Sequence, residues 1–204
     1  MTHIVVIGGS NRAEAQSHRI AEAASEKLRA RLGAAGSVDL VSLRDIEIPL
    51  WDESKWAADK PADSFWAAQW PALSARLKAA DGFVVVTPEW HGMASPGLKN
   101  LICCCDGKEL AFKPAYLIGV SVGSGGAYPI AELRMNAGKN TYIQWQPDHL
   151  IVRNADQFLV EGGTAPEWLE GRMDHGLEIL VATAAALKPV RETVVNLELL
   201  KTGM

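Results

Sequence analysis

Apolar residues along this chain gather in short runs, and the stretches between those runs carry helical spacing. His3–Ile7 (HIVVI), Phe83–Thr87 (FVVVT), Ala115–Val120 (AYLIGV) and His149–Val152 (HLIV) are short, β-branched and almost free of polar positions. Such runs mark strands buried on both faces. Val38–Leu43 reads as a further strand. Between them, Ser17 to Leu32 repeats Ile20, Ala23, Ala24, Leu28 and Leu32 on one side of a helix, and Gly33 and Gly36 end it. Ser64 is placed to cap a helix opening at Phe65, with Trp66 and Trp70 on one face. Pro71 either breaks that helix or starts a second one running to Ala80. Helices are also predicted over Pro96–Cys105, Ile130–Ala137 and Glu167–Leu187, with a short last one over Val190–Leu200.

Strand and helix therefore alternate five times. That order predicts an α/β fold: a doubly wound, five-stranded parallel sheet with helices on both faces. No linker, repeat or low-complexity tract interrupts it, so residues 1–204 are read as one domain, with 189–204 as a helical extension. In such sheets a ligand lies beyond the carboxyl ends of the strands, where strand order reverses. The loops after Ile7, Thr87 and Val120 are the three candidates.

Charge narrows the partners. The formal net charge is −4 and the isoelectric point about 5.7, so no nucleic-acid partner is expected, since one would need a clustered basic face. No apolar stretch is long enough to cross a bilayer, and the first residues do not resemble a signal peptide. A cytoplasmic protein without membrane attachment is expected. Cys103, Cys104 and Cys105 are consecutive. They cannot staple distant segments, and successive helical residues point too far apart to share a metal. They are read as small core or interface residues, and no metal site is expected.

The first loop, GGSNRAEAQS, joins a buried strand to a helix. It lacks the Gly-Lys-Ser/Thr ending of a P-loop and the G-x-G-x-x-G spacing of a dinucleotide fingerprint. It does bring the Ser10 and Ser17 hydroxyls and the Arg12 guanidinium to a helix N-terminus, where free N–H groups and partial positive charge suit a phosphate. Plain capping with a surface arginine is the simpler alternative.

At this point the chain resembles the NADPH-dependent FMN reductases, flavodoxin-like proteins that include quinone, azo-dye and chromate reductases. Three stretches carry the resemblance: GGSNRAEAQS, TPEWHGMASPGLKN and KPAYLIGVSVGSGGAYPIAELR. It covers about Thr2 to Ala155, and the second stretch is the most specific. It implies a flavodoxin-like fold, bound FMN, and NADPH (or NADH) as reductant. By position, Ser10, Arg12 and Ser17 would bind the FMN phosphate, with Gln16 and His18 as neighbours. Pro88, Glu89, Trp90, His91 and Gly92 would line the flavin ring and ribityl chain. Gly123, Ser124 and Gly126 would close the pocket. No residue is expected to act as a catalytic acid or base, because the flavin carries the hydride chemistry. Trp90 stands where the family usually has tyrosine, and so loses a phenol hydroxyl.

Glu89 is read as a structural carboxylate bonding backbone N–H groups. His91 has two readings: a donor to the flavin or acceptor, or a residue that only orders the loop. The tryptophans at 51, 56, 66 and 70 are read as an interface or site wall, with core packing as the alternative. The resemblance implies hydride transfer from NAD(P)H via FMN to a small-molecule acceptor — a quinone, azo compound, metal oxyanion or free flavin — in a homodimer or tetramer. A flavodoxin-type electron carrier and a non-catalytic flavin- or phosphate-binding module are the alternative functions.

Overall fold

The computed structural model describes residues 1–199. Its strands are β1 (Thr2–Gly8), β2 (Gly36–Ser42), β3 (Gly82–Trp90), β4 (Met93–Ala94), β5 (Pro114–Val120) and β6 (Gln144–Val152). Its α-helices are α1 (Gln16–Leu32), α2 (Phe65–Ala68), α3 (Trp70–Ala79), α4 (Pro96–Cys104), α5 (Ala127–Asn136) and α6 (Glu167–Thr193). Five strands pair in parallel in the order β2-β1-β3-β5-β6. From β2 the chain returns past β1 to β3, so strand order reverses there and the ligand crevice belongs between the ends of β1 and β3.

Two apolar layers hold the sheet. On one face Ile4, Val6, Val84, Val86, Tyr116 and Ile118 pack against Ile20, Ala24 and Leu28 of α1 and Met173, Leu177 and Leu180 of α6. On the other, Val5, Ile7, Phe83, Val85 and Leu117 meet Leu73 and Leu77 of α3, Leu98 and Leu101 of α4, and Leu133 of α5. Alternate residues of one strand feed opposite layers, as the two-residue period of a strand requires.

Several local expectations change. Pro71 starts a second helix, α3, which is one of the two readings its position allowed. Ser64 stands at the N-cap of α2, but its hydroxyl makes no capping bond. β3 runs on to Trp90 and folds back as a hairpin onto β4, which the sequence reading missed. His91 and Gly92 form the two-residue turn, both at positive φ (52° and 74°), the conformation that suits a strand-matching hairpin turn. β6 starts at Gln144, five residues before the expected His149. Finally, α6 continues through Pro189 to Thr193 instead of stopping near Leu187. The separate helix expected over 190–200 is only a 3-10 turn at Leu197–Leu199, and residues 200–204 lie outside the described residues.

The four tryptophans divide by role. Trp66 and Trp70 are core residues, edge-on at 5.9 Å. Trp51 and Trp56 are half-exposed and edge-on at 5.2 Å. Asn100 anchors the segment leading to Trp51. Its Nδ2 donates to the carbonyls of Ile48 and Pro49, and its Oδ1 accepts from Trp51 N–H.

Candidate functional site

The loops after β1, β3 and β5 meet at the carboxyl edge of the sheet around a cavity of about 480 Å³. Ser10, Arg12, Gln16 and Ser17 line it from the first loop and the start of α1; Pro88, Glu89 and Trp90 line it from the end of β3. These are seven of the residues singled out from sequence. Glu14, Ala15, Arg19, Val120, Ser121 and Val122 complete the wall.

Local structure explains the first loop. Gly9 N–H donates to the Val86 carbonyl at 2.8 Å, which ties the loop to β3. Ser95, the N-cap of α4, donates its hydroxyl to the Gly9 carbonyl and accepts from Leu98 N–H. Ser10 is buried and accepts from Arg12 N–H at 3.2 Å. The α1 helix then begins at Gln16 with no side-chain cap and no acidic residue in its first turn. The amides of Gln16 and Ser17 have no intrahelical acceptor, because they open the helix. The Ser17 hydroxyl is buried without a hydrogen-bond partner. A buried donor left unpaired costs about 1–3 kcal/mol. An anion at the helix start would pair it, and the exposed Arg12 guanidinium adds charge at the mouth. The residues present therefore fit a phosphate. Ser17 was expected near the N-cap; it lies one residue inside the helix, and Ala15 holds the cap position.

Two expected neighbours have other employment. Gln16 Oε1 accepts from Arg19 Nε at 2.9 Å, and Arg19 also donates to the carbonyls of Ala155 and Leu159. His18 does not line the cavity. Its Nδ1 lies 3.0 Å from Ser42 Oγ and its Nε2 2.9 Å from Glu22, beneath the loop.

The second and third loops are joined directly. The Glu89 carboxylate accepts from Gly126 N–H. Gly126 sits at φ 102°, in the region that favours glycine, and a Cβ there would lie 2.7 Å from Ile151. Gly123, Ser124, Gly126, His91 and Gly92 are not among the residues that line the cavity. Sequence reasoning also missed Arg153 at the end of β6, whose Nε donates to the carbonyls of Ser124 (2.7 Å) and Gly125 (3.2 Å). The only available signal was its position one residue after a strand that ends at the same edge.

A second, larger hollow of about 690 Å³ opens between α4 and α5. Trp51, Trp56, Ile102 and Leu133 form its apolar walls, with Lys99, Lys139 and Asp106 around them. Cys103 is exposed there, while burial pushes the Cys104 thiol up to about 12 and that of Cys105 well above its ordinary value. Both buried cysteines act as packing.

Residues 2–157 match the family described as NADPH-dependent FMN reductase. The chain belongs to the NADPH-dependent FMN reductase family. FMN is the cofactor of this oxidoreductase family and NAD(P)H its reductant. Among curated relatives, an NADPH azoreductase of Bacillus sp. (strain OY1-2) is 28% identical over 123 residues, 60% of this chain and 61% of the relative. The chain thus matches about three fifths of that relative's length. Among solved structures, the flavoenzyme NAD(P)H:(acceptor) oxidoreductase from Paracoccus denitrificans superposes with a TM-score of 0.70 at 21% identity, covering 91% of this chain and 98% of that one. An oxidoreductase from Corynebacterium diphtheriae gives the same TM-score and coverages at 16% identity. These likenesses establish the flavodoxin-like fold of this FMN reductase relative.

Proposed function

We propose that this protein is an FMN-dependent NAD(P)H oxidoreductase that reduces a small-molecule acceptor such as a quinone, an azo compound, a metal oxyanion or free flavin. The observation that carries the reading is the buried, unpartnered Ser17 hydroxyl at the uncapped start of α1, in a cavity shared with Pro88, Glu89 and Trp90. Ser10, Arg12 and Ser17 would hold the phosphate. Pro88 and Trp90 would shape the ring pocket, Trp90 offering an indole face where a phenol is usual. Glu89 would hold the third loop rather than move a proton. When bound, the flavin supplies hydride acceptance and onward electron transfer; the protein supplies position and field.

The same reading places the protein in the cytoplasm as a homodimer. The hollow between α4 and α5, with its half-exposed indoles, is the face assigned to the second copy. The test is spectroscopic. FMN is added to the purified chain and NADPH or NADH follows under nitrogen. Visible flavin bands that bleach, and return on addition of a quinone or azo dye, are expected. Bound flavin that neither nucleotide bleaches would remove the reductase reading, and failure to take up FMN would remove the cofactor assignment.

A further inference from the structure

The third loop is gripped from two sides. Arg153 Nε donates to the carbonyls of Ser124 and Gly125, and the Glu89 carboxylate accepts from Gly126 N–H. In a trans peptide the C=O and N–H point in opposite directions. The Gly125–Gly126 peptide therefore spans the two groups, with its oxygen toward Arg153 and its N–H toward Glu89. The preceding peptide also turns its oxygen to Arg153, which directs Gly125 N–H to the side where Glu89 lines the cavity. The fit is close: a Cβ on Gly125 would lie 2.8 Å from the Glu89 carboxylate. Two backbone bonds hold the same corner, from Asn154 N–H to the Gly123 carbonyl and from Ala155 N–H to the Ser121 carbonyl. Ser121 and Val122 of this loop are cavity wall.

We propose that Arg153 is a positioning residue for the flavin: from outside the cavity it fixes the Ser124–Gly126 peptides against Glu89, and with them the wall that Glu89, Ser121 and Val122 give the cavity. Arg153 is itself exposed and does not line the cavity, so it acts through the loop and not by contact. The proposal rests on the flavin reading above. One charged N–H shared between adjacent carbonyls, set against a carboxylate on the opposite side, aligns a short glycine-rich segment that would otherwise sample many conformations. A preorganised cavity wall of this kind binds a ligand more tightly because no ordering remains to be done on binding. The arrangement acts on the part of the cavity built by the second and third loops, away from the phosphate end at Ser10–Ser17.

FMN and riboflavin, titrated into the flavin-free full-length chain and followed by fluorescence quenching, test this. R153A is expected to bind both about tenfold more weakly, by a similar factor, and to displace the visible bands of the bound flavin. R153K, which keeps one donor, should recover part of the loss. R12A, at the phosphate end, should weaken FMN and leave riboflavin unchanged. Gly125→Ala pushes the same loop from the Glu89 side and should reproduce the loss for both ligands; it carries the test if R153A does not fold. Wild-type affinity and spectrum in R153A would overturn the proposal. So would a loss confined to FMN, which would mean that the arginine acts by its charge on the phosphate. If the wild-type chain binds neither flavin, the flavin reading itself fails and this proposal with it.

Discussion

Ser17 carries the most information of any single residue, because its side chain is unsatisfied where most buried hydroxyls are paired. Its removal should therefore act in opposite directions on the free and the liganded protein. In Ser17→Ala, the flavin-free chain is expected to be as stable as wild type or up to about 1 kcal/mol more so, since an unpaired donor leaves the core. FMN affinity should fall about tenfold, the equivalent of about 1.4 kcal/mol. Urea unfolding of the free chain and an FMN titration measure the two effects. A marked loss of stability in the free chain would show that the hydroxyl serves the fold instead. Glu89 was legible from sequence as a structural carboxylate, since hydride transfer needs no protein base. Its acceptance from Gly126 N–H agrees with that. His18 was not legible: whether a helix-start histidine faces the loop or the neighbouring strand depends on where Ser42 ends β2.

At the scale of elements, α6 shows how tertiary charge overrides a local breaker. Pro189 removes one helical hydrogen bond, yet the helix runs on to Thr193. Asp81, buried at the start of β3, accepts from Lys188 at 3.2 Å, Arg191 at 2.7 Å and the His3 N–H at 2.9 Å. These contacts hold the turns on both sides of the proline against the sheet. Asp81→Ala leaves Arg191 without its carboxylate in a largely buried site. It should cost about 3 kcal/mol in urea unfolding, as losses of one partner from buried pairs do, and the last turns of α6 should lose amide protection. Lys113 gives the pH dependence. Its ammonium donates to the carbonyls of Leu77, Lys78 and Glu109, which closes the end of α3. Burial, with Arg191 nearby, nonetheless pushes it down to about 7 from 10.5. A folded value below the unfolded one means that the unfolded chain binds more protons between those limits. Stability should then rise as pH climbs from about 7 toward 10.5, and Lys113→Met should flatten that rise. An unchanged slope in the variant would show that the three carbonyls keep the group charged. Elements were legible where one period dominates, as in α1 or β3. They were not where tertiary contacts decide. β6 begins among Gln144, Gln146, Pro147 and Asp148, which no strand pattern marks, and its bulge is held by Arg134 donating to the carbonyls of Gln146, Pro147 and Asp148.

For the whole molecule, the α4–α5 face is the proposed contact between two copies of the chain. Met93, Trp51, Trp56, Tyr128 and Met135 are all exposed there or beside it, and aromatic residues and methionine are the types enriched at protein interfaces. Charges of both signs stand at the hollow, with Lys99, Lys139 and Asp106 in its lining, and Lys99 lies 3.1 Å from Glu132. A two-fold interface requires one patch to complement itself, which an apolar centre ringed by both signs does and a single-sign surface does not. The face also reaches the cavity rim, because Met93 belongs to the hairpin beyond Trp90 and Tyr128 opens α5 directly after the third loop. Sedimentation is accordingly expected to give twice the 22.0 kDa chain mass. Trp51→Glu, at a half-exposed ring in the centre of the face, should shift the protein toward monomer without changing its far-ultraviolet circular dichroism. If FMN affinity falls together with the mass, the second copy completes the flavin site. If the mass falls alone, each chain binds its flavin by itself. A wild-type species of 22.0 kDa would leave these aromatic residues facing solvent, and the face would then have to serve a different partner.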